Sequence, residues 1–342
     1  MSVYVGIDVH RKRSQLAVID AKGEVLVNRN VPNGVEPILK VIGGLPPVTP
    51  AAFEAAFGTG WLVELLEGYG FEPHLVHPLR CKAIASARLK NDKAGAEILA
   101  QLLRADLLPE AWIAPPAVRQ LRALLRHRVQ LVRLRTLLRN RIHAVLADHG
   151  HGRPAGVWSG PGRQWLVSLE LPAASREVVE DGLALIGATE VRIDRLDWEI
   201  RQRARSDPRV KVLTQLPGAG PFTALVILAE IGDITRFPTA RKLASWAGLT
   251  PAVRGSDRVA CYGHISNQGS AWLRWVLCEA AQTARRSPQF AGYQAIAARR
   301  GKKIATTAVA RKLLTRAWHL LTDAERAVPQ PATAPAPDKQ RR

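Results

Sequence analysis

The chain has 342 residues, and Lys plus Arg outnumber Asp plus Glu by 49 to 29. The sequence pI is about 10.8, so a polyanionic partner is expected, nucleic acid first and an anionic membrane surface second. No apolar run is long enough to span a bilayer, and Cys81, Cys261 and Cys278 form neither a CxxC pair nor a finger spacing, which argues against structural zinc and for a reducing cytoplasm.

The length allows two domains, each with its own core. The chain enters a β-type run at Val3 with no signal-peptide pattern. Val3, Tyr4, Val5 and Ile7 read as a strand, Ser14 to Asp20 as its hairpin partner, and Asp8 stands where the first run ends. A carboxylate on a central strand is costly unless paired, and a divalent metal with further oxygen ligands is one partner. The plain alternative is a strand end that caps a turn.

Glu24 to Asn30 reads as a third strand, Val35 to Ile42 as a helix, and Ala51 to Ala56 as a strand carrying Glu54. Trp61 to Tyr69 reads as a helix, Phe71 to His77 as a strand, and Lys90 to Arg104 as a helix opening near Asp92. This order predicts an α/β layer fold over residues 1–114. Asp8, Glu54 and Asp92 stand at element positions able to converge at one sheet end, the usual way to hold paired Mg²⁺ ions, and a chance choice of three acids is the alternative.

Residues 115–210 read as basic arms and linker. Ala117 to His149 carries eight arginines, Arg122, Arg126 and Arg133 among them, and no acid before Asp148. Leu121, Leu124, Leu125, Leu131, Leu134, Leu138, Ile142 and Val145 recur at three-and-four spacing, which predicts a long amphipathic helix of coiled-coil type. The arginines are either a solvated face or a phosphate-contacting one. Like charges repel along an acid-free face, so the second reading is preferred. His149 to Gly162 reads as a Gly-rich loop, and Ala174 to Arg205 as a second long helix with a seam of Ile186, Ile193, Leu196 and Ile200. Its mixed charges suit pairing with the first arm or with another subunit.

Residues 211–325 read as a second, mostly helical domain. Leu216-Pro217-Gly218-Ala219-Gly220 before an apolar helix resembles a helix-hairpin-helix turn. Gly218 and Gly220 there would let backbone N–H groups approach a phosphate, and a plain tight turn is the alternative. Ser256 lies in a loop between Arg254 and Arg258, where cations would bind a phosphate and acidify the hydroxyl. His264 and Ser266 read as a turn or a strand or RNA contact, and Arg299 to Arg316 as a basic nucleic-acid surface. The Pro/Ala-rich tail over 326–342 is expected to be disordered.

The blocks VGIDVHRKRSQLAV, FEAAFGTGWLVELLE and LKNDKAGAEILAQLLRADLLPEAW resemble the N-terminal domain of the DEDD insertion-sequence transposases of the IS-one-ten family. The resemblance resumes at LPGAGPFTALVILAEIGDITRF and SWAGLTPAVRGSDRVACYGHISNQGSAWLRWVL, and covers nearly everything but the tail. It implies a RuvC-like domain of the RNase H superfamily in which Asp8, Glu54 and Asp92 hold Mg²⁺ with a fourth acid. Gly95 stands at that fourth position, so the site departs from the family pattern. It also implies that Ser256 is a nucleophile forming a covalent phosphoserine with DNA, although Gly255 and Asp257 depart from the family's residues there. A homo-oligomer (dimer or tetramer) joined through the arms, an element-encoded non-coding RNA pairing with donor and target DNA, and a cytoplasmic, nucleoid-associated location complete the expectation. A RuvC-like structure-specific nuclease and a catalytically impaired nucleic-acid-binding remnant are the rival readings.

Overall fold

The first strand, β1 (Val3–Val9), pairs antiparallel with β2 (Arg13–Asp20), with Asp8 opposite Gln15. β3 (Val25–Pro32) continues the sheet antiparallel to β2, and α1 (Val35–Ile42) follows. β4 (Pro50–Glu54) returns parallel to β1 with Ile7 beside Phe53. α2 (Gly60–Gly68) leads to β5 (Glu72–Val76), parallel to β4, giving the order β3-β2-β1-β4-β5. α3 (Pro78–Ile84) and α4 (Asp92–Arg104) end this part of the chain. The computed structural model describes residues 2–55, 59–84, 92–152, 154–256 and 259–327. Arg258, the tail from Val328, and Lys90, Asn91 and Ala56 at the edges of expected elements lie outside them.

The period of two along β1 sorts its residues between two faces. Val5, Ile7 and Val9 join Leu16, Val18, Ala51 and Phe53 in a core covered by Ile38 and Ile42 of α1 and Leu62 and Leu66 of α2. Gly6, Asp8, Ala52 and Glu54 fall on the opposite face. There Ala52 packs with Leu99 of α4. A Cβ on Gly6 would stand 1.9 Å from the Ala96 carbonyl oxygen of α4. Only a glycine lets β1 and this helix come so close.

The chain splits into two compact units, Met1–Ala114 and Pro115–Arg342. In the second, α5 (Pro116–Asp148) and α7 (Ala173–Ser206) pair antiparallel along one chain, with α6 (Gly160–Ser168) at their tip. The tip has its own core of Leu138, Ile142, Leu146, Val157, Leu166, Val179 and Ile186. A Cβ on Gly182 would stand 2.9 Å from Ile142 Cδ1, so the helices approach closely there. The expected seam of α7 is buried as read, whereas that of α5 is shifted. Val129 and Leu146 are buried and Leu134 is exposed, because α6 and the α7 partner draw a different stripe inward than a uniform repeat gives. The Gly-rich stretch is also not loop throughout, since Gly160 opens α6 behind the Ser159 cap.

Leu125, Ile200 and Ala204 at the base of the arms belong to the core of the helical remainder. That remainder comprises α8 (Pro208–Leu213), the apolar α9 (Pro221–Ile231), α10 (Ala240–Trp246), α11 (Ala271–Ala284), α12 (Tyr293–Arg300) and α13 (Lys302–Ala327). Between α10 and α11 the chain forms a two-stranded hairpin, β6 (Pro251–Ser256) and β7 (Val259–Ile265). The segment expected as a loop around Ser256 is therefore β-structure, and His264 lies on β7 and not in a turn. No described helix is long and apolar enough to cross a membrane.

Candidate active site

Asp8 and Glu54 end up as neighbours through sheet register. Ile7 pairs with Phe53, so the next residue on each parallel strand is an acid. Both lie at the carboxyl ends of their strands, the usual ligand-binding edge of a parallel sheet. Asp8 is a quarter exposed, and its Oδ2 lies 3.7 Å from His10 Nε2. Glu54 makes itself felt at Cys81, whose thiol is pushed up by burial and further by that carboxylate.

α4 covers the same face. Its first residue is Asp92, whose side chain is outside the description, so the described carboxylates at this edge are two. Among the described residues no three His, Cys, Asp or Glu side chains gather as a metal-holding group. The two described carboxylates supply oxygen donors, which suit a hard cation such as Mg²⁺, and the His10 imidazole stands beside Asp8. Gly95 lies directly over this edge, and a Cβ built on it would stand 2.7 Å from Asp8 Oδ2.

A polar chain that sequence reading missed ties the start of α4 to the sheet. Gln15, opposite Asp8 and buried, donates to Asn28 Oδ1, and Asn28 Nδ2 donates to the Lys93 carbonyl at 3.2 Å. A buried glutamine inside the run Ser14 to Asp20 was the available signal.

In the second unit, Ser256 closes β6 opposite Val259. The side chains of Ser256 and Arg254, and all of Arg258, lie outside the described residues. Gly218 and Gly220 separate into two roles. Gly218 has φ +79, and a Cβ there would stand 2.3 Å from the Ala280 carbonyl of α11, so packing alone accounts for it. Gly220 caps α9, is exposed, and has open space where a Cβ would go. An open backbone at a helix N-terminus is the geometry that an anion uses.

The arginine face of α5 is less free than its composition suggests. Arg122 donates to the Ala229 and Glu230 carbonyls at 2.7 and 3.0 Å. Arg126 pairs with Glu230 at 2.8 Å, Arg128 with Asp197, and Arg139 with Glu190. The acids missing from α5 come from α7 and α9, so the expectation of a uniformly available basic face is corrected. Arg133 remains exposed, with its guanidinium carbon 5.3 Å from the Trp272 ring centre. Arg236 below them is pushed down to about 10 by burial and then by the nearby Arg122 charge, with Asp233 opposing.

Glu230 is a further residue that sequence reading missed. It is 5% exposed, accepts from Arg126, and also accepts the Ser270 hydroxyl at 2.8 Å. A lone acid in the apolar run Leu225 to Ile231 was its signal. Ser270 in turn caps α11, so this carboxylate joins α5, α9 and α11.

Two family models match the chain. One, a DEDD transposase model of IS110 type, matches residues 5–150. The other, described as the transposase IS116/IS110/IS902 family, matches residues 210–295. A Pseudomonas aeruginosa protein named "probable family 20 transposase" is 25% identical, over 93% of this chain and 96% of its own length. The transposase for insertion sequence element IS1111A of Coxiella burnetii is 27% identical, over 94% of this chain and 90% of its own.

Proposed function

Because the chain belongs to the IS110/IS116 family of transposases, which act on DNA, we propose that it moves an insertion sequence by strand cleavage and exchange. In this reading Asp8, Glu54 and Asp92 hold Mg²⁺ and Ser256 is the nucleophile. The observation that carries the metal half is the side-by-side placement of Asp8 and Glu54 at two parallel strand ends, under a helix that begins with Asp92. The strand order β3-β2-β1-β4-β5 with β2 reversed supports an RNase H/RuvC-like domain.

When bound, Mg²⁺ supplies positive charge that stabilises phosphodiester oxygens. The chain's own part is to fix the carboxylates. Gln15 and Asn28 anchor α4, and His10 flanks Asp8. For the serine, Oγ forms a bond to phosphorus as the bond to one strand oxygen breaks, and that strand leaves as a hydroxyl. Attack by a strand hydroxyl on the phosphoserine reverses the exchange, so one phosphodiester is replaced by another with no outside energy source. The metal half and the serine lie in different compact units. The resemblance supports an assembly in which one subunit's RuvC-like site serves another's serine, and guidance by a non-coding RNA of the element. The net charge of +20 agrees with polynucleotide partners.

Gly95 favours a second reading, a copy with impaired catalysis that still binds nucleic acid. The test is incubation of the full chain with DNA bearing the element ends, Mg²⁺ and the element's flanking RNA. A DNA–protein adduct lost in both Ser256→Ala and Asp8→Asn supports the first reading. Cleavage that persists in Ser256→Ala without any adduct supports a metal-only nuclease. Binding with no strand breakage by the wild type supports the impaired copy.

A further inference from the structure

α12, α13 and the foot of the β6–β7 hairpin enclose a cleft of about 810 Å³. Its volume lies within the ~300–1,000 Å³ usual for small-ligand pockets. Leu249, Ile265, Ile296 and Ile304 form an apolar floor, and Arg299, Arg300, Lys303, Arg311 and Lys312 form the rim. Among the described residues no acid lines it, and none of these five cations has a carboxylate partner. All five are exposed. The opposite face of α13, with Val309, Leu313 and Leu314, is spent on the core.

The rim and the floor ask for different chemistry. Unpaired cations around a concave site attract phosphates. A closed duplex, however, offers such a site only its phosphates and leaves Ile304 in water. A nucleotide out of the stack offers a phosphate and an apolar base face together, and a single strand yields one without the cost of unpairing. Ile304 is 51% exposed, an apolar group waiting on such a cover. From Pro251 at the cleft to Ser256 is five strand steps, or about 17 Å at ~3.3 Å each. That reach equals about five nucleotides of a duplex strand.

We propose that this cleft holds an unpaired nucleotide of the DNA strand whose phosphodiester is presented at the hairpin tip. It rests on the reading of Ser256 as the strand-exchanging serine only for which strand is held. The binding itself is independent of the chemistry. The cleft thereby separates a strand already opened from one still paired, and holds the opened one in register with the hairpin.

The experiment uses the full chain and two fluorescein-labelled DNA probes, a blunt duplex and the same duplex with a short single-stranded extension. The wild type should prefer the extended probe by about tenfold, as burial of one base face against aliphatic carbon implies. Ile304→Asn, at a half-exposed site that tolerates polarity, should abolish the preference and leave blunt-duplex affinity within twofold, about the scatter of such a surface change. Lys303→Ala with Arg311→Ala should weaken both probes alike. A 5-iodouracil in the extension should photocrosslink to peptides of α12 or α13. Equal binding of the two probes, a preference retained in Ile304→Asn, crosslinks confined to other elements, or tighter binding of an RNA extension than of a DNA one would each overturn the proposal. The preference should also persist in Ser256→Ala. Adduct formation without the preference sinks the cleft and spares the serine reading, and the preference without adduct does the reverse.

Discussion

Gly95 sits against Asp8, close enough that a Cβ on the glycine would stand 2.7 Å from the aspartate's Oδ2. Any side chain added at 95 therefore points into the acid edge of the sheet, and Asp8 must rotate to admit it.

In Gly95→Asp that rotation brings two like charges together. Without metal, the variant should melt a few degrees below the wild type, as about 1 kcal/mol of repulsion implies. Mg²⁺ should reverse the order, since an added carboxylate supplies an oxygen ligand that water otherwise provides. The Mg²⁺ midpoint, read by thermal shift and by strand exchange, should fall about tenfold. An unchanged midpoint would show that position 95 is not a ligand position.

The arm arginines should separate into two classes. Arg122 donates to two carbonyls and Arg133 is exposed over Trp272. Arg122→Ala should cost about 1–3 kcal/mol in urea denaturation, because it strands buried acceptors. Arg133→Ala should leave stability alone, weaken duplex binding, and lower the salt slope by about 1. The check is a salt titration of both variants beside their denaturation curves.

The two glycines before α9 should also part. Gly218→Ala meets both a positive φ and the Ala280 carbonyl, and should destabilise by more than about 1 kcal/mol. Gly220→Ala has open space and an extended backbone, so stability should change by less than about 0.5 kcal/mol. If a DNA phosphate docks at this helix end, Gly220→Ala should weaken binding to a fluorescein-labelled duplex several-fold, whereas Gly218→Ala should change binding only as the fold fails.

Glu190 ties α5 and α6 to α7 through Arg139 and Arg163. Burial by itself would raise its carboxyl, but hydrogen bonds and charge from Arg163 and Arg139 outweigh burial and hold it below the usual range. A depressed folded value means that its stabilisation is complete above about pH 4.3, the unfolded value, and is lost as pH falls through the lower folded one. Melting temperature against pH from 6 to about 3 should therefore fall less steeply in Glu190→Gln. Parallel curves would remove Glu190 from the account.

The sheet and both arms were legible because their signals are local. Alternation along Val3 to Val9, the helix Val35 to Ile42, and the seam of Ile186, Ile193, Leu196 and Ile200 all lie within one element. What stayed hidden depends on partners distant in sequence. The arginines of α5 read as unopposed because Asp197, Glu190 and Glu230 lie on other helices. Ser256 read as a loop residue because a short hairpin among helices has no core of its own to announce it. For the acids, the chain order named Asp8 and Glu54, but only strand register made them neighbours.

Gly6 leaves no side chain between β1 and α4, where Ala96 of the helix lies against the strand. The helix seat is thus backbone on backbone, joining parts of the chain some ninety positions apart, a distant and slow contact to form. During synthesis Asp8 and Glu54 leave the ribosome well before α4 is complete at Arg104. A growing chain therefore carries the acid pair uncovered first, and gains its lid only when the last strand of the sheet has already been made.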